Sequence, residues 1–134
     1  LMLDLDDFKL VNDCHGHHIG DSLLRAVADT IRKTLREIDI AGRLGGEEFG
    51  ILLPESDTRQ SAEVAERLRQ EVAHTVVALA GEQILSVTAS IGISTLSDEN
   101  ATIDKMLSLA DKAMYDAKHA GRNQVCLAQA REID

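Results

Sequence analysis

The segment Arg43-Leu44-Gly45-Gly46-Glu47-Glu48-Phe49 concentrates residues able to do chemistry. Two adjacent glycines suit a two-residue hairpin turn of type I′, because both tolerate the positive φ that such a turn requires. Two carboxylates follow at once. Successive side chains of a strand point to opposite faces, so one of Glu47 and Glu48 can serve a site while the other does a different job. A second acidic cluster stands in Leu1-Met2-Leu3-Asp4-Leu5-Asp6-Asp7-Phe8-Lys9, which reads as a buried strand ending in carboxylates and a lysine. Magnesium takes hard oxygen ligands, usually one or two carboxylates with water and phosphate oxygens. Nucleotidyl transfer uses such ions to neutralise polyphosphate charge and to activate a hydroxyl. Asp4 and Glu47 would make a pair of this kind if the first strand adjoins the hairpin. Asp6 is expected to alternate away from Asp4 and is the weaker ligand. Lys9 offers positive charge where it builds on phosphates in a transition state.

Other clusters carry less. Lys118 and Arg122 lie one helical turn apart at the end of a helical pattern, where cations are favoured by the helix dipole even without a ligand. His15, His17 and His18 fit no regular metal-ligand spacing, and Cys14 and Cys126 suggest neither a disulfide framework nor a zinc site. The net charge of −9 argues against a protein that lives by gripping nucleic-acid backbone. It leaves room for a nucleotide site, since a few local cations and a metal can hold phosphates.

The elements that must position these groups follow from periodicity. Residues 1–6 read as a strand and 7–20 as a polar, glycine-bearing stretch with a helical turn around Leu10-Val11. A helix is expected from Asp21, with Leu24, Ala28, Ile31 and Leu35 on its inner face and Asp21 or Ser22 as its cap. Residues 38–43 and 48–53 flank the glycines as hairpin strands, and Pro54 closes the second. A helix over 57–75 carries Val64, Leu68 and Val72. Residues 85–93 alternate as one strand. A further helix presents Ile103, Met106, Leu107, Ala110, Met114 and Ala117, with Gly121 at its end, and residues 124–127 form a last strand. This order predicts one α+β domain over 1–134, with a mostly antiparallel sheet covered by helices. Its 134 residues suffice for a real core, with 44% of them apolar and mostly aliphatic.

In sequence the chain resembles the GGDEF family of diguanylate cyclases, in the variant whose signature reads GGEEF. The resemblance runs from Asp4 to about Val125. It rests on Asp4-Leu5-Asp6-x-Phe8-Lys9, Asn12-Asp13, Gly16-His17, Gly20-Asp21, Arg43-x-Gly45-Gly46-Glu47-Glu48-Phe49, Ser90-Ile91-Gly92 and Ala117-Lys118-x-x-Gly121-Arg122-Asn123, all in order. It implies a five-stranded sheet akin to the palm of polymerases and adenylyl cyclases. It further implies the condensation of two GTP into cyclic di-GMP and two pyrophosphates, across a homodimer in which each domain holds one GTP.

Residue by residue, the resemblance implies two Mg2+ (or Mn2+) ions held by Asp4, Glu47 and the backbone carbonyl of Leu5. Glu47 or Glu48 would be the general base, with the metal sharing the activation. Lys118 and Arg122 would grip the β- and γ-phosphates, Asn12 and Asp21 the guanine, and His17 is accounted for by the family's Gly-His; Asp21 alternatively only caps a helix. Arg36 and Asp39 match an inhibitory Arg-x-x-Asp site for the product, with Arg67 as a secondary contact. The family's usual preceding helix is absent, so a domain cut from a longer cytoplasmic or membrane-anchored protein, with an upstream sensor or receiver region, is expected. Two rival readings remain: a degenerate module that binds GTP or cyclic di-GMP without turnover, and a cyclase with a mixed or mononucleotide product.

Overall fold

The computed structural model describes residues 1–97 and 102–129. In chain order the elements are β1 (Met2–Leu5), α1 (Phe8–His15), α2 (His17–Thr34), β2 (Ile40–Gly45), β3 (Glu48–Leu52), α3 (Thr58–His74), β4 (Val77–Ala78), β5 (Ile84–Leu85), β6 (Ala89–Ile93), α4 (Ile103–His119) and β7 (Val125–Leu127). Five strands make one sheet in the order β2-β3-β1-β6-β7, antiparallel except for the β6–β7 pair. The expected α+β architecture with a mostly antiparallel sheet is the one observed.

β1 is the central strand and is covered on both faces, which is why it reads as a nearly continuous apolar run. Leu3 and Leu5 enter the main core with Leu23, Val27 and Ile31 of α2 and Ala65, Leu68 and Val72 of α3. Met2 packs instead with Ala110 and Met114 of α4. α4 rests directly on β6. A Cβ at Gly92 would lie 2.0 Å from the Ala110 carbonyl oxygen and 2.3 Å from the Met114 amide nitrogen, so only glycine permits this approach.

Several local expectations are corrected. Residues 8–15 are a helix, not a loop: α1 buries only Phe8 and Val11 and its N-cap, Asp7, makes no side-chain cap bond, so neither periodicity nor capping announces it. α2 starts at His17, with Gly16 (φ +85°) as its N-cap; Asp21 therefore lies inside the helix and caps nothing. The single strand over 85–93 is split, because β5 turns away to pair with β4 and only β6 joins the sheet. Ile103 is 57% exposed and not part of the core. α3 agrees with expectation and has a complete capping box between Asp57 and Gln60.

The hairpin differs in detail. Pairing runs to Gly45↔Glu48, so the turn residues are Gly46 and Glu47, and of these only Gly46 has positive φ (+50°). A type I′ turn needs both and is not formed. A register shift between Arg43 and Gly45 absorbs the offset, and Arg43 Nε donates to the Gly46 carbonyl at 2.7 Å. Glu47 thus sits in the turn itself.

Candidate active site

β1 adjoins the hairpin, as the pairing of its carboxylates requires. Asp4 is in register with Glu48, and the Leu5 amide donates to the Glu47 carbonyl at 3.2 Å. Lys118, in the last turn of α4, crosses to the same place and sets its ammonium 2.8 Å from Asp4 Oδ1 and 3.3 Å from Asp6 Oδ1. Asp6 therefore shares a face with Asp4, against expectation. Residues two apart along an extended strand lie on the same face, which is the physical reason for the difference.

Asp6 is the most heavily bonded carboxylate described. It is 3% exposed and accepts from Thr88 Oγ1 and Ser90 Oγ at 2.7 Å each, from the Asn123 amide at 3.0 Å and from Lys118. The turn after α4 closes on it. The Arg122 amide bonds back to the Ala117 carbonyl at 3.0 Å, the 6→1 bond of a Schellman motif with Gly121 at its left-handed position. Arg122 leaves this turn with its Nε 3.7 Å from Asp7 Oδ1.

The electrostatics are lopsided. Burial raises the Asp4 pKa; Lys118 opposes this, while Glu47 and Asp6 add to it. Glu48 is raised for the same reasons, burial first and then Asp4, Asp111 and Glu47. Burial works against the Lys118 ammonium, but Asp4 and Asp6 outweigh it and hold its pKa above the ordinary value. One ammonium does not satisfy the acids gathered here, and a further cation would discharge them. Among the described residues no three His, Cys, Asp or Glu side chains are grouped so as to hold a metal ion. The carboxylates of Asp4 and Glu47 and the Leu5 carbonyl are oxygen donors of the hard kind that magnesium takes.

α1 and α2 form a tight pair at Gly20. A Cβ there would lie 1.9 Å from Asn12 Oδ1, an atom that is buried and has no hydrogen-bond partner. Asp21 follows directly on α2 and is exposed. Lys9 is exposed on α1.

A groove of about 730 Å³ lies away from Asp4, Asp6 and Glu48; it runs along α2 from Asp21 and Arg25 to Arg36 and Asp39, with Phe49 in its wall. At its far end Arg36 binds Asp39 through Nη2 at 2.8 Å and through Nε, and also reaches the Pro54 carbonyl and Ser56 Oγ at 3.0 Å each. Arg67 lines a different, shallow groove on α3 with Arg59, Glu63 and Gln70, so the structure does not bring it to Arg36.

The family model for the GGDEF domain of diguanylate cyclases matches residues 1–124. The chain belongs to the GGDEF family. This GGDEF domain is 40% identical over 126 residues to the response regulator PleD of Caulobacter vibrioides, covering 93% of the domain and 28% of PleD. In structure it is similar to the GGDEF domain of DgcB from Caulobacter crescentus in complex with c-di-GMP (TM-score 0.89, 31% identity, 96% of this chain and 76% of that one). It is also similar to the active GGEEF domain of a diguanylate cyclase from Vibrio cholerae (TM-score 0.87, 32% identity, 97% and 81%). The domain spans roughly a third of the length of the curated relatives it matches. No helix among its described residues is long and apolar enough to cross a membrane.

Three features of the GGDEF domain's site were missed in the sequence. The hub role of Asp6 was legible in the two-residue period. The grip of Arg43 on the turn had no local signal. The bond from Arg69 Nη1 to Asn123 Oδ1 (2.8 Å) joins residues 54 apart in sequence and had none either.

Proposed function

We propose that this domain is a diguanylate cyclase half-site: two copies, each holding one GTP, join the nucleotides into cyclic di-GMP and release two pyrophosphates. The observation that carries this reading is the convergence of Asp4 and Asp6 on the Lys118 ammonium, with Glu48 in strand register with Asp4 and Arg122 reaching Asp7. Carboxylates next to cations at a strand end are what a metal-bound triphosphate needs.

In this mechanism Asp4, Glu47 and the Leu5 carbonyl would hold divalent ions, Mg2+ or Mn2+, whose chemistry when bound would be charge neutralisation on the phosphates and acidification of the 3′-hydroxyl. Lys118 exchanges Asp4, and Arg122 exchanges Asp7, for β- and γ-phosphate oxygens while Lys118 keeps Asp6, and Lys9 adds charge from α1. Asn12 and Asp21 meet the guanine edge; an unpaired carboxylate at Asp21 penalises adenine, which offers no donor at N1. Glu47 or Glu48 receives the hydroxyl proton. The attacking hydroxyl comes from the facing domain, so dimerisation controls the rate through proximity, and a sensor or receiver region elsewhere in the parent protein sets it. Product binds at Arg36 and Asp39 by displacing Pro54 and Ser56 from the guanidinium, with Arg67 as a secondary contact.

The test is mass-spectrometric product analysis of the domain fused to a dimerising coiled coil, with GTP and magnesium. Cyclic di-GMP with pyrophosphate is expected. No product from a confirmed dimer that still binds GTP would overturn turnover and leave a nucleotide-sensing module.

A further inference from the structure

One of the two cations assigned to the triphosphate, Arg122, is carried by an unfavourable stretch of backbone that follows the helix bearing the other, Lys118. Arg122 and Asn123 both have positive φ (+64° and +48°), a conformation that residues with a Cβ avoid and that persists only where surroundings enforce it. Two contacts enforce it at Asn123. Its amide donates to Asp6 Oδ2 at 3.0 Å, and its side-chain oxygen accepts from Arg69 Nη1 at 2.8 Å.

Arg69 belongs to α3, on the sheet face opposite α4. Its guanidinium is held by Glu66, which takes Nε at 3.1 and 3.0 Å and a close contact from Nη2, and Gln70 Nε2 donates to Glu66 in turn. This fixes the plane of the guanidinium and leaves Nη1 aimed at the turn after α4. The Arg69 side chain is 21% exposed, less than an ordinary surface ion pair on a helix. A chain of contacts therefore runs from Glu66 through Arg69 to Asn123, then through Asp6 to Lys118.

We propose that Arg69 is a positioning residue for the phosphate-binding cations. Through Asn123 it holds the left-handed turn from which Arg122 projects, and through Asp6 it steadies Lys118. The proposal rests on the reading that Lys118 and Arg122 hold the triphosphate. It makes α3 a support of the phosphate site from the far side of the sheet, in the way outer contacts orient the ligands of a metal.

The experiment titrates the domain, in magnesium buffer, with a non-hydrolysable GTP analogue and separately with GMP. Asn123→Gly is the informative variant, because glycine keeps the positive φ and the amide bond to Asp6 and removes only the acceptor for Arg69. Asn123→Gly and Arg69→Gln are each expected to weaken the GTP analogue about 10-fold while GMP affinity stays within about twofold, and the double variant to be no worse than either. Lys118→Ala and Arg122→Ala separate the two layers of the argument. If they leave GTP-analogue affinity unchanged, the phosphate reading fails and the proposal with it. If they weaken it while Asn123→Gly and Arg69→Gln do not, Arg69 is only a helix-surface ion pair. Parallel loss of GMP affinity in the Arg69 and Asn123 variants would also overturn the proposal, because loosening of the whole domain does not distinguish phosphate number.

Discussion

Asp4 and Asp39 are both acids whose side chains the fold covers, at 9% and 1% exposure, and each is paired with a cation at 2.8 Å. Their proton affinities nevertheless move in opposite directions. At Asp39 burial is outweighed by Arg36, which offers two guanidinium nitrogens and its own backbone amide, and the pKa is lowered. At Asp4 a single ammonium faces burial together with Glu47 and Asp6, and the pKa is raised. The clasp at Arg36 is electrostatically complete, whereas the strand-end cluster is not. A ligand must compete for the first and is called for by the second. The two proposed sites therefore differ physically: one is already paired within the domain and the other still lacks positive charge.

The sharpest challenge to this contrast is kinetic. In the dimerised domain Glu47→Gln is expected to lower turnover by about 10³-fold, because a metal-binding carboxylate acts where transition-state charge develops. Arg36→Ala is expected to leave the initial rate nearly unchanged and to remove product inhibition, followed as the progress curve at rising cyclic di-GMP. Equal damage from both variants would erase the distinction between the two ends.

Stability sharpens it next. Asp6→Asn leaves buried donors unpaired and is expected to cost about 1–3 kcal/mol in urea unfolding. Asp39→Asn, whose partner Arg36 is 49% exposed, is expected to cost less. The reverse order would show that the Asp6 hub is dispensable. Gly20→Ala has a narrower effect: the added methyl would meet Asn12 Oδ1 at 1.9 Å and must displace the amide. The loss of one hydrogen bond to the base, about 1 kcal/mol, should weaken GTP-analogue binding several-fold by calorimetry. Unchanged affinity would remove Asn12 from base recognition.

The smallest effect is in pH. A lowered folded-state pKa at Asp39 gives stability that is present above its ordinary value of 3.8 and is lost as pH falls through the folded value. Glu48, raised above its ordinary 4.5, does the opposite: folding is favoured below that value and the contribution is lost as pH rises through the folded pKa. In chelator, Asp39→Asn should therefore melt below wild type and Glu48→Gln above it at about pH 7, and both differences should shrink in acid. Melting differences of the same sign would break the comparison.

Much of this was legible in the residues. Leu24, Leu68 and Val72 follow from helical period and Ile31 with them, while Leu3 follows from the apolar run that opens the chain. Where periodicity failed, the reason is identifiable. α1 has one buried turn and no capping side chain, and β5 continues the alternation of β6 although it pairs with β4 outside the main sheet.

By itself the sequence determined what depends on neighbours along the chain: the inner faces of the long helices, the presence of a hairpin at the glycines and the ordered motifs that mark the family. Only the tertiary structure decided which charges meet. That Lys118 lies on Asp4 and Asp6, that Arg36 is closed by Asp39, Pro54 and Ser56, and that Arg67 stands in a different groove all depend on strand order and on the helices crossing the sheet. The energy of a charge is set by everything within a few ångströms of it in space, and most of those neighbours are remote in sequence.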